Sequence, residues 1–183
     1  MSHHIRAVQQ EDWPKVKELR LVALQDPVAH LAFLETYEQA LAKPDEFWQE
    51  RTDRAAEGRS SRQFVAERAD GRWLGTVTAL VEPAGEKTFF EDVPEQSQTH
   101  VVGVFVRPEA RGTGVVDELF RAALAWSWEL AEPRVERVRL FVHEQNARAE
   151  AMYLRAGFTR TGDFVPAPGG APARDYELAL ARS

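Results

Sequence analysis

The run from His100 to Glu118, HVVGVFVRPEARGTGVVDE, constrains the fold more than any other stretch of the chain. Val101, Val102, Val104, Phe105 and Val106 are β-branched or aromatic and read as a buried strand. Arg107-Pro108-Glu109-Ala110-Arg111-Gly112-Thr113-Gly114 then turns the backbone, and an amphipathic helix follows at once. A helix N-terminus carries unpaired N–H donors and a partial positive charge, so it is ready to hold phosphate. Gly112 and Gly114 have no side chain to keep a ligand from those donors. A strand feeding such a turn suggests a ligand with a pyrophosphate. The alternative is a plain surface turn that caps a buried helix.

Two common phosphate loops are excluded. A Walker A loop needs G-x-x-x-x-G-K-[ST], and the chain has no Gly-Lys pair. A dinucleotide fingerprint needs G-x-G-x-x-G, but Gly112-Thr113-Gly114 is followed by Asp117 where the last Gly belongs. What remains is R-x-x-G-x-G/A in outline, carried by Arg111-Gly112-Thr113-Gly114-Val115-Val116. A second segment, RVRLFVHEQNARAEAMYLRAGF from 137 to 158, lies downstream. Val138, Leu140 and Val142 alternate as a strand, and Asn146 is placed to cap a helix. Ala149, Met152, Tyr153 and Ala156 share one helical face, and Gly157 stands where a helix ends.

In order and in residues, the two segments resemble the GCN5-related N-acetyltransferase superfamily. The Arg-Gly loop matches its acyl-CoA motif, and Asn146, Ala149, Tyr153, Gly157 and Phe158 match the later strand–Asn–helix–Gly-Phe pattern. The matching segments cover roughly the last half of the chain. One position departs: Val116 stands where the family usually has Gly or Ala, and its methyls would crowd the cofactor. The resemblance implies an α/β (α+β) fold, with a mixed, mostly antiparallel sheet of about six or seven strands and helices on both faces. It implies one N-acetyltransferase domain over residues 1–183.

Composition and pattern agree with that class. A chain of 183 residues, 44% hydrophobic and 28% charged, is enough for one domain with a full core. The N-terminus shows no apolar signal-peptide core, and no run is long enough to cross a bilayer, so a cytoplasmic location with no membrane partner is the default. With no cysteine, disulfides, thiolate metal sites and a cysteine acyl-enzyme are excluded. A net charge of −6 argues against a nucleic-acid partner. The expected order is β-α-α-β-β-β-α-β-α-β-β. It runs through a strand over Ile5–Val8, a helix from Asp12 with Trp13-Pro14, a second helix or irregular helical turn over Ala29–Ala42, and another over Pro44–Ala56. Strands over Gln63–Glu67 and Trp73–Val81 flank an Asp70-Gly71 hairpin turn, with a bulge expected near Gly75. Residues Pro83–Gln98 read as a loop; Phe158–Val165 and Asp175–Leu180 read as closing strands joined by a loop over Pro166–Pro172.

Acyl transfer to an amine needs positioned reactants, donors for the oxyanion, a base for the amine and an acid for the departing thiolate. The resemblance assigns pantetheine to the backbone of Phe105 and Val106, and pyrophosphate to nitrogens of Arg111, Gly112, Thr113, Gly114, Val115 and Val116. Asn146 contacts the pantetheine arm or caps its helix, and Arg148 stands near the same helix start. Tyr153 is the candidate acid; the other reading is a helix Tyr packed in the core. His100 is the candidate base, set against a strand-end His facing solvent, with His143 and Glu35 as alternatives. No metal is expected; acetyl-CoA is the cosubstrate. The acceptor, an amine of a small molecule or peptide, would lie among Leu31–Phe47, Pro83–Gln98 and Phe164–Arg174. Whichever of Trp126 and Trp128 is exposed would mark a homodimer contact. A non-catalytic acyl-CoA-binding module of the same fold is the second reading. A nucleotide-binding protein of another fold is a distant third.

Overall fold

The computed structural model describes residues 2–167 and 172–183. Strand β1 (His3–Ala7) leads through a 3-10 turn (Gln10–Asp12) into α1 (Trp13–Leu24), followed by α2 (Ala29–Ala32), α3 (Tyr37–Leu41) and α4 (Asp45–Glu57). Three strands follow, β2 (Ser61–Arg68), β3 (Trp73–Glu82) and β4 (Gln98–Val106), and then α5 (Val115–Glu129). The chain closes with β5 (Arg137–His143), α6 (Ala147–Arg155), β6 (Thr159–Pro166) and β7 (Arg174–Ala181). The seven strands form one sheet in the order β1-β2-β3-β4-β5-β7-β6. Only β4 and β5 run parallel, as a strand–helix–strand crossover through α5 requires.

Two apolar layers hold the sheet. Val115, Leu119, Phe120 and Ala123 of α5 and Tyr153 of α6 pack with Val77, Val101, Val138, Leu140 and Leu178 on one face. Val16, Leu19 and Ala23 of α1 and Trp48 and Ala55 of α4 pack with Val65 and Phe105 on the other. Each fully buried Leu or Val contributes about 1.5–3 kcal/mol relative to exposure.

Most expected elements form within a residue or two of their expected ends. The bulge near Gly75 is present: Ala66 faces Gly75 while Glu67 faces Trp73, which leaves Leu74 as the extra residue. The segment 29–42 is two short helices rather than one. Phe33 turns extended (φ −129°, ψ 144°), and Thr36 begins a new helix by accepting the Gln39 N–H while Gln39 reaches back to the Thr36 N–H. Of the expected loop over Pro166–Pro172, residues 168–171 lie outside the described residues. Trp126 and Trp128 are both half-buried; Trp128 packs on the α5 layer beneath Arg182.

Candidate active site

The site forms where β4 stops pairing with β5. The β4–β5 ladder consists of Gln98↔Arg137, Thr99↔Val138 and His100↔Arg139, and no pairing follows. From Val101 onward β4 therefore turns an unpaired edge towards β5, and Phe105 and Val106 lie on that stretch. Against β3 the register shifts, with Val102 facing Thr78 and Phe105 facing Thr76. Gly103 sits in this bulge at φ 63°, a left-handed conformation that a β-branched residue resists. The bulge falls on the stretch where β4 no longer pairs with β5. The Phe105 side chain is buried in the α1–α4 layer, and Val106 packs towards α5.

The turn after β4 forms a cradle with a geometry that suits an anion. Gly112 (φ 76°) and Gly114 (φ 87°) both need the left-handed region, and a Cβ at either would meet nothing within 4 Å. Gly114 begins α5 without a side-chain cap. The first helical bond is Glu118 N–H to the Gly114 carbonyl. Among the described residues, the N–H groups from Gly112 to Asp117 thus have no protein partner, a run of six donors beside open space. Thr113 turns its hydroxyl back to the Ala110 carbonyl, which steadies the turn. Val116 is half-buried, its side chain packed against the α5 core layer.

Arg111 is placed differently from its backbone neighbours. Its N–H is taken by the Pro108 carbonyl (3.3 Å). Its guanidinium donates to the Val106 carbonyl (3.0 Å) and to Asp26 (2.7 Å). It therefore ties the end of β4 to the end of α1. Burial pushes the Asp26 carboxyl up, but Arg111, the Val28 N–H and the charge of Arg148 outweigh that and hold it below the usual range. The partnership with Asp26, 85 positions away, carries no signal in the sequence.

Tyr153 projects from α6 into the α5 layer, 8% exposed, its ring 5.6 Å from Phe120. Its hydroxyl makes no hydrogen bond among the described residues. Burial pushes the phenol up to about 12, so it stays protonated at neutral pH. Asn146 caps α6 by accepting the Ala149 N–H (3.3 Å).

His100 points to the opposite face of the sheet from Tyr153, since Val101 next to it faces the α5 layer. It is 2% exposed rather than a solvent-facing strand end. Phe90 and Phe141 pack on the ring at 4.9 and 5.4 Å, and Nδ1 lies 3.3 Å from Glu82. Burial pulls its pKa down against the pull of Glu82, which keeps the imidazole neutral at pH 7. Beneath it lies a network that sequence reading missed. Arg139, 1% exposed, donates to Glu82 (2.9 and 3.1 Å), Asp92 (2.7 and 3.1 Å) and Glu177 (3.1 Å). Arg137 spans Gln98 and Glu177. Of the alternative bases, Glu35 is locked between Arg20 and Lys43 at 2.7 Å each. His143 accepts the Gln145 N–H on Nδ1.

The model of the acetyltransferase (GNAT) family matches residues 10–158, which takes in the bulged strand, the cradle and α6. The chain belongs to that family. Mycothiol acetyltransferase of Salinispora arenicola is 33% identical over 119 residues, 59% of this chain and 37% of that protein. The enzyme of the same name from Saccharomonospora viridis is 36% identical over 95 residues, 52% of this chain and 29% of that protein. The chain thus aligns with about a third of the length of these relatives. A GNAT-family acetyltransferase from Streptococcus pneumoniae shares the fold over both full chains, with a TM-score of 0.76 at 15% identity. The spermidine N-acetyltransferase from Vibrio cholerae, solved with CoA and spermine, covers 98% of this chain and 95% of its own, with a TM-score of 0.69 at 18% identity. At these identities the likeness is one of fold.

Proposed function

We propose that this GNAT chain is an acetyl-CoA-dependent N-acetyltransferase acting on a primary amine by direct transfer in a ternary complex. The observation that carries this reading is the run of unpartnered N–H groups from Gly112 to Asp117, directly after a strand splayed from its parallel neighbour. The cradle suits a pyrophosphate. The free β4 edge suits a pantetheine, whose amides pair as an added strand would. The family, and the CoA named with the Vibrio structure, support that ligand. On this reading a backbone N–H of the bulged strand polarises the thioester carbonyl. The amine nitrogen bonds to the acyl carbon, the carbon–sulfur bond breaks, and the phenol of Tyr153 gives its proton to sulfur. His100 takes the amine proton through water once the loop carrying Phe90 lifts.

The enclosure of His100 also favours a second reading, an acyl-CoA-binding module without turnover. Titration of acetyl-CoA into the protein, followed by a free-thiol assay with a panel of amines, tests both. Micromolar binding and thiol release are expected. A carboxylate placed in the cradle by Gly112→Asp should weaken binding at least tenfold, because Asp tolerates the left-handed backbone and meets open space there. Binding without thiol release from any amine would favour the second reading. No binding by the native chain would overturn both.

A further inference from the structure

A second recess lies under the helices at the bulge. It is a cavity of about 20 Å³ lined by residues including Arg20 and Arg51 of α1 and α4, and Gln63, Thr76, Thr78 and Gly103 of the sheet. That is more than the roughly 10–15 Å³ that a single water needs, so a small polar group can enter. Gly103 belongs to the strand whose free edge would hold the thioester, so the recess lies beside the place where an acceptor must arrive.

Its polar groups are unevenly satisfied. Gln63 donates to the Thr76 hydroxyl, and Thr76 donates to the Phe64 carbonyl. Arg20 is tied to Glu35 and stacks on Phe33. Arg51 and the Thr78 hydroxyl make no hydrogen bond among the described residues, and Arg51 has no ion-pair partner there. The nearest aromatic ring to the Arg51 guanidinium is Trp48, at 6.0 Å. A cation partly withdrawn from water without a partner is costly, and half-buried Arg51 registers that cost: burial, with Arg20 and Arg54 adding to it and Glu35 opposing, pulls its pKa down to about 10. Arg20 and Arg51 both line the recess, and Glu35, the acid that bears on Arg51, is already held by Arg20 and Lys43.

Resting on the acetyltransferase reading, we infer that Arg51 and Thr78 bind an anionic end of the acceptor, a carboxylate, so that the substrate is an amine that also carries an acid group. A guanidinium presents a planar fork that matches a carboxylate with two parallel bonds. The same positive recess disfavours polyamines.

The test compares amino acids with their C-terminal amides and with spermidine in the thiol-release assay, on the native chain, Arg51→Met and Arg51→Gln. The native chain should prefer the acids at least tenfold in kcat/KM. Both variants should raise KM for the acids about tenfold, leaving kcat, the KM for acetyl-CoA and turnover of the amides unchanged. Both should also be at least as heat-stable as the native chain, because they remove an unpartnered charge. Equal or better use of amides or spermidine, or an equal loss on acids and amides in the variants, overturns the inference and leaves the acetyltransferase reading intact. Calorimetry of the same acids into the CoA-loaded protein separates the other case. Carboxylate binding that depends on Arg51, with no thiol release from any amine, upholds the recess and defeats the acetyltransferase reading. If the acids bind no better than their amides and no amine releases thiol, both fall.

Discussion

At the scale of single residues, the proposed chemistry rests on a phenol whose surroundings keep it protonated. Burial holds Tyr153 at about 12, so its proton is available throughout the neutral range. Tyr153→Phe keeps the ring that packs on Phe120 and deletes only an oxygen without a hydrogen-bond partner. It should lower kcat about a hundredfold, within the usual worth of a general acid, and leave the calorimetric affinity for acetyl-CoA unchanged. Unchanged kcat would remove Tyr153 from the mechanism. Val116 gives a second residue-scale contrast. The motif alone marks it as an obstruction, whereas its half-buried side chain packs on the core layer. Val116→Ala should then cost about 1–2 kcal/mol in denaturant unfolding and alter acetyl-CoA affinity less than twofold. A tenfold gain in affinity would show that the methyls do crowd the cradle.

At the scale of elements, what was legible in the sequence is what is decided locally. The Asp70-Gly71 turn, the Asn146 cap and the glycines of the cradle depend on neighbours a few positions away, and each sits where the pattern puts it. The split of 29–42 had a local signal in the Thr36–Gln39 capping pair, and Arg20 of α1 adds to it from outside the segment by stacking on Phe33 and pairing with Glu35. The loop between β3 and β4 hid more. Arg137 and Arg139 alternate with Val138 and Leu140, which reads as a strand with one face in solvent. The loop instead folds Phe90 and Asp92 over that face. Its hold is pH-dependent. The hydrogen bond from Arg139, opposed by burial and helped by Thr88, brings the Asp92 carboxyl down to about 2 from 3.8. Stability from a lowered carboxyl is present above the unfolded value and is lost as pH falls through the folded one. Amide protection of residues 83–97 should therefore fall between about pH 4 and pH 2, and Asp92→Asn should show the reduced protection already at pH 6.

At the scale of the whole molecule, the sheet has to stay closed at one end and open at the other. β4 and β5 pair at three positions and then part, so the cleft proposed for the cofactor depends on a firm join at its root. Apolar packing supplies one side of that join through Val101 and Val138. The other side is ionic: Arg139 of β5 grips Glu82 of β3, Glu177 of β7 and Asp92 of the loop, so one guanidinium joins three separate segments of the chain. Glu82 shows the balance. Burial pushes its carboxyl up, but His100 and Arg139 outweigh burial and hold it below its usual range. Breaking a buried ion pair by removing one partner typically costs about 3–5 kcal/mol, because the remaining charge is left uncompensated. Glu177 keeps Arg137 as a second partner, while Glu82 would keep only Gln98 and a neutral His100. Arg139→Met should accordingly lose about 3–5 kcal/mol of stability at pH 7, and the loss should shrink as pH drops below 4.5 and the Glu82 carboxyl takes up a proton. Urea unfolding at pH 7 and pH 4 measures both. A loss below about 1 kcal/mol at pH 7, or one that does not depend on pH, would mean that packing alone closes the root of the cleft.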